Sequence, residues 1–87
     1  MSYFLGVMRY NKNPNETITI PSKEAGVALI TMDTNGETHI VPIKYFLLFS
    51  ETFTYNTYYV TIERSSNGGN ITVSGNCRVF VTAILYV

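Results

Sequence analysis

Short runs rich in Tyr, Phe, Val, Ile and Thr alternate along the chain with clusters of Gly, Asn, Ser and Pro. That spacing predicts strands joined by turns. The expected strands are Tyr3–Tyr10, Thr17–Ile20, Val27–Asp33, Glu37–Val41, Tyr45–Phe49, Thr54–Arg64, Ile71–Ser74 and Arg78–Tyr86. With no helical segment between them, parallel crossover units have no place. The expected fold is all-β: one domain over residues 1–87, an antiparallel β-sandwich or flattened barrel of about seven to eight strands. Its core should include Leu29, Ile30, Val41, Leu47, Val60, Ile62, Val73, Val79 and Val81.

Two hairpins are written locally. At Asp33-Thr34-Asn35-Gly36-Glu37-Thr38, Asn35-Gly36 suits a two-residue type I′ turn, which pairs Met32 with His39, Thr31 with Ile40 and Ile30 with Val41. At Ser65–Asn70, turning on Asn67-Gly68 pairs Ile62 with Val73 and Arg64 with Ile71, whereas turning on Gly68-Gly69 sets Arg64 against Val73. The first keeps apolar residues together and is favoured. Ile43–Ser50 fits both a strand and one face of a short helix, and its aromatics and the preceding Pro42 favour the strand. Pro21–Gly26, bracketed by Pro and Gly, reads as a loop.

The hydrophobic pattern is unusual in one respect. A half-buried strand alternates apolar and polar residues. In the last strand, however, Val79, Val81, Ala83, Leu85 and Val87 fill one face while Phe80, Ile84 and Tyr86 fill the other, and Tyr3–Met8 is likewise apolar on both sides. A two-layer domain has one inside, so the second face needs cover. A further copy of the chain is the simplest cover, with a trimer the expected assembly and Tyr3, Leu5, Leu85 and Tyr86 near the contact. The alternative is that one of these strands is central in a barrel or lies beneath the Pro21–Gly26 loop.

Composition sharpens this picture. Only 14% of the residues are charged, and 11 Thr, 8 Asn and 6 Ser keep the surface wet. Such a surface suits a protein packed against neighbours or outside cells, although strand propensity alone also enriches Thr. Six scattered Lys and Arg balance six Asp and Glu, so the clustered cations of a nucleic-acid binder are not expected. No segment approaches a membrane-spanning length. Met1–Tyr10 lacks the cationic start of a signal peptide, so the expected location is a virion, or the exterior after lysis, following synthesis in the cytoplasm.

Candidate chemistry is sparse. His39, Cys77 and Asp33 are each the sole residue of their type, so the usual triads lack members, and no metal-ligand spacing occurs. No cofactor is expected. Cys77 is better read as a small buried hydrophobe than as a nucleophile, and His39 as a strand filler. A small enzyme or regulatory domain using Cys77 or His39 is the rival reading. The recognition-like feature is a tyrosine-rich stretch within Thr and Asn. Alternation along one strand places Phe53, Tyr55 and Tyr59 on one face, as a candidate binding surface, and Tyr58, Val60 and Ile62 on the other, as core. A subunit interface would use the same residues.

Glu16-Thr17-Ile18-Thr19-Ile20-Pro21, the apolar Gly26–Ile30, the polar hairpin, Asn70–Ser74 and the terminal Val79–Ile84 together resemble the small β-sandwich modules at the ends of phage tail or head fibres. The resemblance implies a non-enzymatic, trimeric virion component that has a structural role or binds a receptor, a glycan or a protein, on a cell surface. It departs from that pattern in beginning within a few residues of Met1, where such modules follow a fibrous shaft. A fibre attachment segment is accordingly not expected in this chain. A small carbohydrate-binding, lectin-like module is the alternative that shares the fold.

Overall fold

The computed structural model describes residues 3–20, 25–44, 48–64 and 70–86. They form eight strands: β1 (Phe4–Lys12), β2 (Ile18–Ile20), β3 (Ala25–Met32), β4 (Thr38–Pro42), β5 (Phe49–Tyr55), β6 (Tyr58–Arg64), β7 (Ile71–Gly75) and β8 (Val79–Tyr86). Two four-stranded antiparallel sheets, β1-β8-β3-β4 and β2-β7-β6-β5, stack into a flattened body with Cα extents of 41 × 24 × 17 Å. The expected antiparallel all-β fold is the fold found.

Strict alternation in β3, β7 and β8 builds the core. Ala28, Ile30 and Met32 from β3, Ile71 and Val73 from β7, and Val79, Val81 and Ala83 from β8 turn inward, joined by Ile20, Val41, Ile43, Val60 and Ile62. Because the side-chain period of a strand is two, each run commits all of one parity to the interior. Leu29, expected in the core, has the opposite parity and lies half-buried on the outer face, opposite Ile40. Leu47 and the Tyr45–Leu47 part of the fifth expected strand lie outside the described residues, as do 21–24 of the expected loop and Val87. Ala25 and Gly26, placed in that loop from sequence, belong to β3 and pair with Tyr86 and Leu85.

The first hairpin differs from expectation in register. Ile30 pairs with His39, Thr31 with Thr38 and Ala28 with Val41. The connection spans four residues, Asp33–Gly36, closed by the amide of Gly36 donating to the Met32 carbonyl at 2.8 Å and that of Met32 to Glu37 at 3.0 Å. Within this loop only Gly36 takes a positive φ, 71°, whereas a type I′ turn demands it at both central positions. The Asn35 side chain instead accepts the Glu37 amide at 3.0 Å, an alternative that favours the longer loop. The slip of two residues preserves parity, so Ile30 and Val41 are buried as expected.

In the second hairpin Ile62 pairs with Val73 and Arg64 with Ile71, the register favoured from sequence; residues 65–69 themselves lie outside the described set. The larger correction is Thr54–Arg64. It is not one strand: the chain reverses at Asn56-Thr57, with Tyr55 opposite Tyr58 and Phe53 opposite Val60. Asn56 supplies the positive φ (53°) at the first position of this two-residue loop, a conformation that Asn tolerates better than most residues. The Asn76 side chain then holds the start of β6, accepting the Tyr59 amide and donating to the Thr57 carbonyl, both at 2.9 Å.

Candidate binding cleft and the two outer faces

The two sheets present outer faces of opposite character. On the β1-β8-β3-β4 sheet, cross-strand rows read Val7-Ile84-Val27-Pro42 and Arg9-Thr82-Leu29-Ile40. Ile40 is 69% exposed, and Val7 and Phe80 are also exposed. The doubly apolar pattern of β8 is therefore real: Val79, Val81 and Ala83 face the core, while Phe80, Ile84 and Tyr86 belong to this outer surface. On the β2-β7-β6-β5 sheet the rows read Thr19-Thr72-Glu63-Ser50 and Ser74-Thr61-Thr52, with Tyr59 beside Thr54. The hydroxyls of Thr52 and Thr61 lie 3.0 Å apart across this face.

The hairpin at Asn56-Thr57 separates the three residues expected to share a surface. Phe53 turns inward with Val60 and stacks on His39 of the other sheet, ring centroids 3.7 Å apart and planes 10° from parallel. Tyr55 pairs with Tyr58 at the hairpin end, and both are exposed, so Tyr58 is not core. Tyr59 alone reaches the polar outer face. A two-residue turn inverts parity between the strands it joins, which is why alternation counted through it misassigns one side. Of the residues expected near an oligomer contact, Tyr86 pairs with Phe4, Leu85 pairs with Gly6, and Leu5 is the extra residue at the register shift between them. Those residues therefore gather at one end of the apolar sheet. Tyr3 and Leu5 are exposed and Tyr86 half-buried, but Leu85 packs against the core.

Tyr59 walls a cleft of about 230 Å³ with Asn15, Glu16, Thr17, Ser74 and Gly75. The opposite wall is the turn between β1 and β2. Asn15 sits there at φ 64°, and its amide donates to the Gly75 carbonyl at 2.9 Å. The Asn13 amide donates to Glu16 Oε2 at 3.1 Å. Gly75 forms the floor. Its φ is 137°, and a Cβ there would stand 2.1 Å from the Tyr59 carbonyl oxygen. Only glycine permits this approach.

Beneath the floor lies Lys12, fully buried, with Nζ donating to the carbonyls of Asn13 (2.9 Å), Gly75 (3.0 Å) and Cys77 (2.9 Å). Burial lowers its pKa, an effect partly countered by Cys77 and Glu16. At the far end of the sandwich Arg64 plays a comparable part, donating to the carbonyls of Ile43 and Pro42 at 2.8 Å each, with its guanidinium 5.5 Å from the centre of the Phe49 ring. Neither role was read from sequence, where both counted as scattered cations. The available signal was phase: Lys12 continues the parity of Met8 and Tyr10, and Arg64 that of Val60 and Ile62.

A second, larger groove of about 570 Å³ includes Ser50, Glu63, Arg64, Asn70 and Thr72. Thr72 lines this groove and Ser74 the Tyr59 cleft. The two stand two residues apart on the same face of β7, about 7 Å.

Cys77 and His39 have separate surroundings. Cys77 is 3% exposed, and its Sγ donates to the Tyr59 carbonyl at 3.7 Å. Burial raises its pKa, with Lys12 acting in the opposite sense and Asp33 in the same sense. His39 stacks on Phe53, and its Nε2 lies 2.7 Å from Glu37 Oε1. Among the described residues no hydrogen bond or ion pair joins the two, and no three His, Cys, Asp or Glu gather as metal ligands. Cys77 should therefore resist a thiol reagent in the native protein and react on unfolding. Rapid native labelling, followed by mass spectrometry, would contradict this burial. No helix among the described residues is long and apolar enough to cross a membrane. The chain matches no family model, and no curated protein or solved structure is similar to it.

Proposed function

We propose that the protein is a non-enzymatic structural or receptor-binding component of a virus or phage particle that works as a homo-oligomer, a trimer by preference. The observation that carries the proposal is the apolar outer face of the β1-β8-β3-β4 sheet. Its Val7-Ile84-Val27-Pro42 row is apolar across all four strands, Leu29 and Ile40 extend it on β3 and β4, and Val7 and Ile40 stand exposed on it. Contiguous apolar surface of this kind marks a contact site, and association would also stabilise a domain small enough to be marginal alone. The hydroxyl-rich face opposite would then be displayed. That division, one largely apolar face for neighbours and one hydroxyl-rich face outward, suits a repeating particle component. Cys77, buried beside the Tyr59 carbonyl, and His39, half-buried against Phe53, have different partners, which favours this reading over an enzyme built on either residue.

Light scattering at micromolar concentration should give a multiple of the 9.8 kDa chain mass. Ile40→Glu should reduce it to one chain without altering the β-sheet circular dichroism, since that side chain is already exposed in a single copy. A wild-type mass of one chain would remove the assembly reading. A gene neighbourhood without capsid or tail genes would remove the particle.

A further inference from the structure

We infer that the Tyr59 cleft is a subsite for one ring of an uncharged oligosaccharide, whose next ring lies over Thr72 and the neighbouring groove. This rests on the receptor-binding reading and names its ligand class. Tyr59 is 44% exposed, an aromatic residue on a sheet face whose other outward residues are mostly Thr and Ser. The carbon-bearing face of a sugar ring can pack on such a surface while its hydroxyls seek donors and acceptors at the rim. The rim supplies both: the Asn15 side-chain carboxamide, the Glu16 carboxylate, and the hydroxyls of Thr17 and Ser74. At about 230 Å³ the cleft is smaller than the roughly 300–1,000 Å³ of a drug-sized site and suits a single ring.

Charge narrows the class. Glu16 lines the cleft, and Lys12 is buried under the floor with its donors directed at three carbonyls. Among the described residues that line the cleft, an anionic sugar would meet a carboxylate and no cation. The geometry is also preorganised. Gly75 permits the close approach of β7 to the Tyr59 backbone, Asn76 holds the Tyr59 amide, and the Asn15 amide ties the facing turn to the same floor. Little ordering remains to be done on binding, which is what a shallow sugar site requires to reach useful affinity. The spacing of Ser74 and Thr72, about 7 Å along β7, continues the polar track toward the larger groove.

The test is a glycan array carrying neutral, sialylated and sulfated oligosaccharides, probed with the labelled full chain, followed by calorimetric titration of the best neutral trisaccharide. Neutral glycans should bind. Tyr59→Ala should weaken the titrated affinity about tenfold or more, as loss of an aromatic platform does elsewhere. Tyr59→Phe should retain most of it. Thr17→Arg, on the exposed turn, should block the cleft without touching the core, and Thr38→Ala on the opposite sheet should bind as wild type. An array without neutral hits, binding confined to anionic glycans, or affinity indifferent to both Tyr59→Ala and Thr17→Arg would each overturn the inference. Scattering on the same samples separates this outcome from the assembly reading: an oligomer that binds no neutral glycan loses the cleft alone, and a monomer that binds one loses the assembly alone.

Discussion

Lys12→Ala should destabilise the protein by about 4 kcal/mol, a large share of the roughly 5–15 kcal/mol that holds a domain together. The side chain is fully buried, so its removal leaves a cavity comparable to that of a truncated Met or Leu, worth about 2–5 kcal/mol. It also withdraws an ammonium from three carbonyls. Two of these keep a backbone donor, since Asn15 donates to Gly75 and Glu16 to Asn13. The Cys77 carbonyl loses the charged partner it has in Lys12, at about 1–3 kcal/mol. Lys12→Met separates the contributions, because it fills the volume, removes the cost of burying a charge and forfeits only the hydrogen bonds. It should cost about 1–3 kcal/mol.

The two proteins should also differ in pH response. Burial holds the pKa of Lys12 below its ordinary 10.5, so between the lowered value and 10.5 the unfolded chain binds more protons than the folded one. Wild-type stability therefore rises relative to Lys12→Met as pH increases through that window, and the difference is flat below it. Cys77, whose pKa is raised by burial, contributes the opposite slope above its ordinary 9.0; Lys12 moderates that rise, so its loss in Lys12→Met steepens the fall in the variant and adds to the same difference. Urea unfolding of both at pH 7 and pH 10 measures it. Lys12→Ala within about 1 kcal/mol of wild type would show that the three carbonyls find other partners.

What the sequence revealed, and what it concealed, follows one physical rule. Along uninterrupted strands the period of two sorts residues correctly, and Leu29, expected in the core beside Ile30 against that period, lies on the outer face. The two faces of β8 and the pairing of β6 with β7 were legible from Val79–Tyr86 and from Ile62, Arg64, Ile71 and Val73 alone. Parity fails at a turn that is not recognised. Asn56-Thr57 carries no glycine or proline, so Thr54–Arg64 read as one strand, and Phe53, an inward residue stacked on His39, was grouped with the outward Tyr59. The positive φ of Asn56 is the physical fact behind the break, and Asn was its one sequence cue. The cleft was only partly legible for another reason. Tyr59 was named as a candidate, but its partners Asn15, Glu16 and Ser74 come from segments roughly 15–45 residues away, brought together by the pairing of β2 with β7. No local pattern encodes such a meeting. Lys12 and Arg64 were missed because a charged residue is ordinarily solvated, and phase was given less weight than charge.

Gly75→Ala should lower the melting temperature by about 20 °C, while Gly36→Ala should lower it by about half as much, within about 4–16 °C. Both glycines have positive φ, 137° and 71°, so both substitutions incur backbone strain. For an ordinary residue in the left-handed region that strain is about 1–2 kcal/mol. At Gly36 nothing lies within 4 Å of an added Cβ, and strain is the whole cost. At Gly75 the Cβ would stand 2.1 Å from the Tyr59 carbonyl oxygen and 3.0 Å from Val60 Cα, both backbone atoms that cannot rotate away. Relief requires β6 and β7 to separate where Asn76 and Cys77 also engage the Tyr59 carbonyl, which adds the roughly 1–3 kcal/mol of an overpacked core. The consequence reaches the cleft, because the same displacement moves Tyr59 away from the Asn15–Thr17 turn. Thermal unfolding of the two variants side by side decides the point. Equal melting temperatures would mean that the strands accommodate the methyl group, and that the cleft floor does not depend on the bare backbone at Gly75.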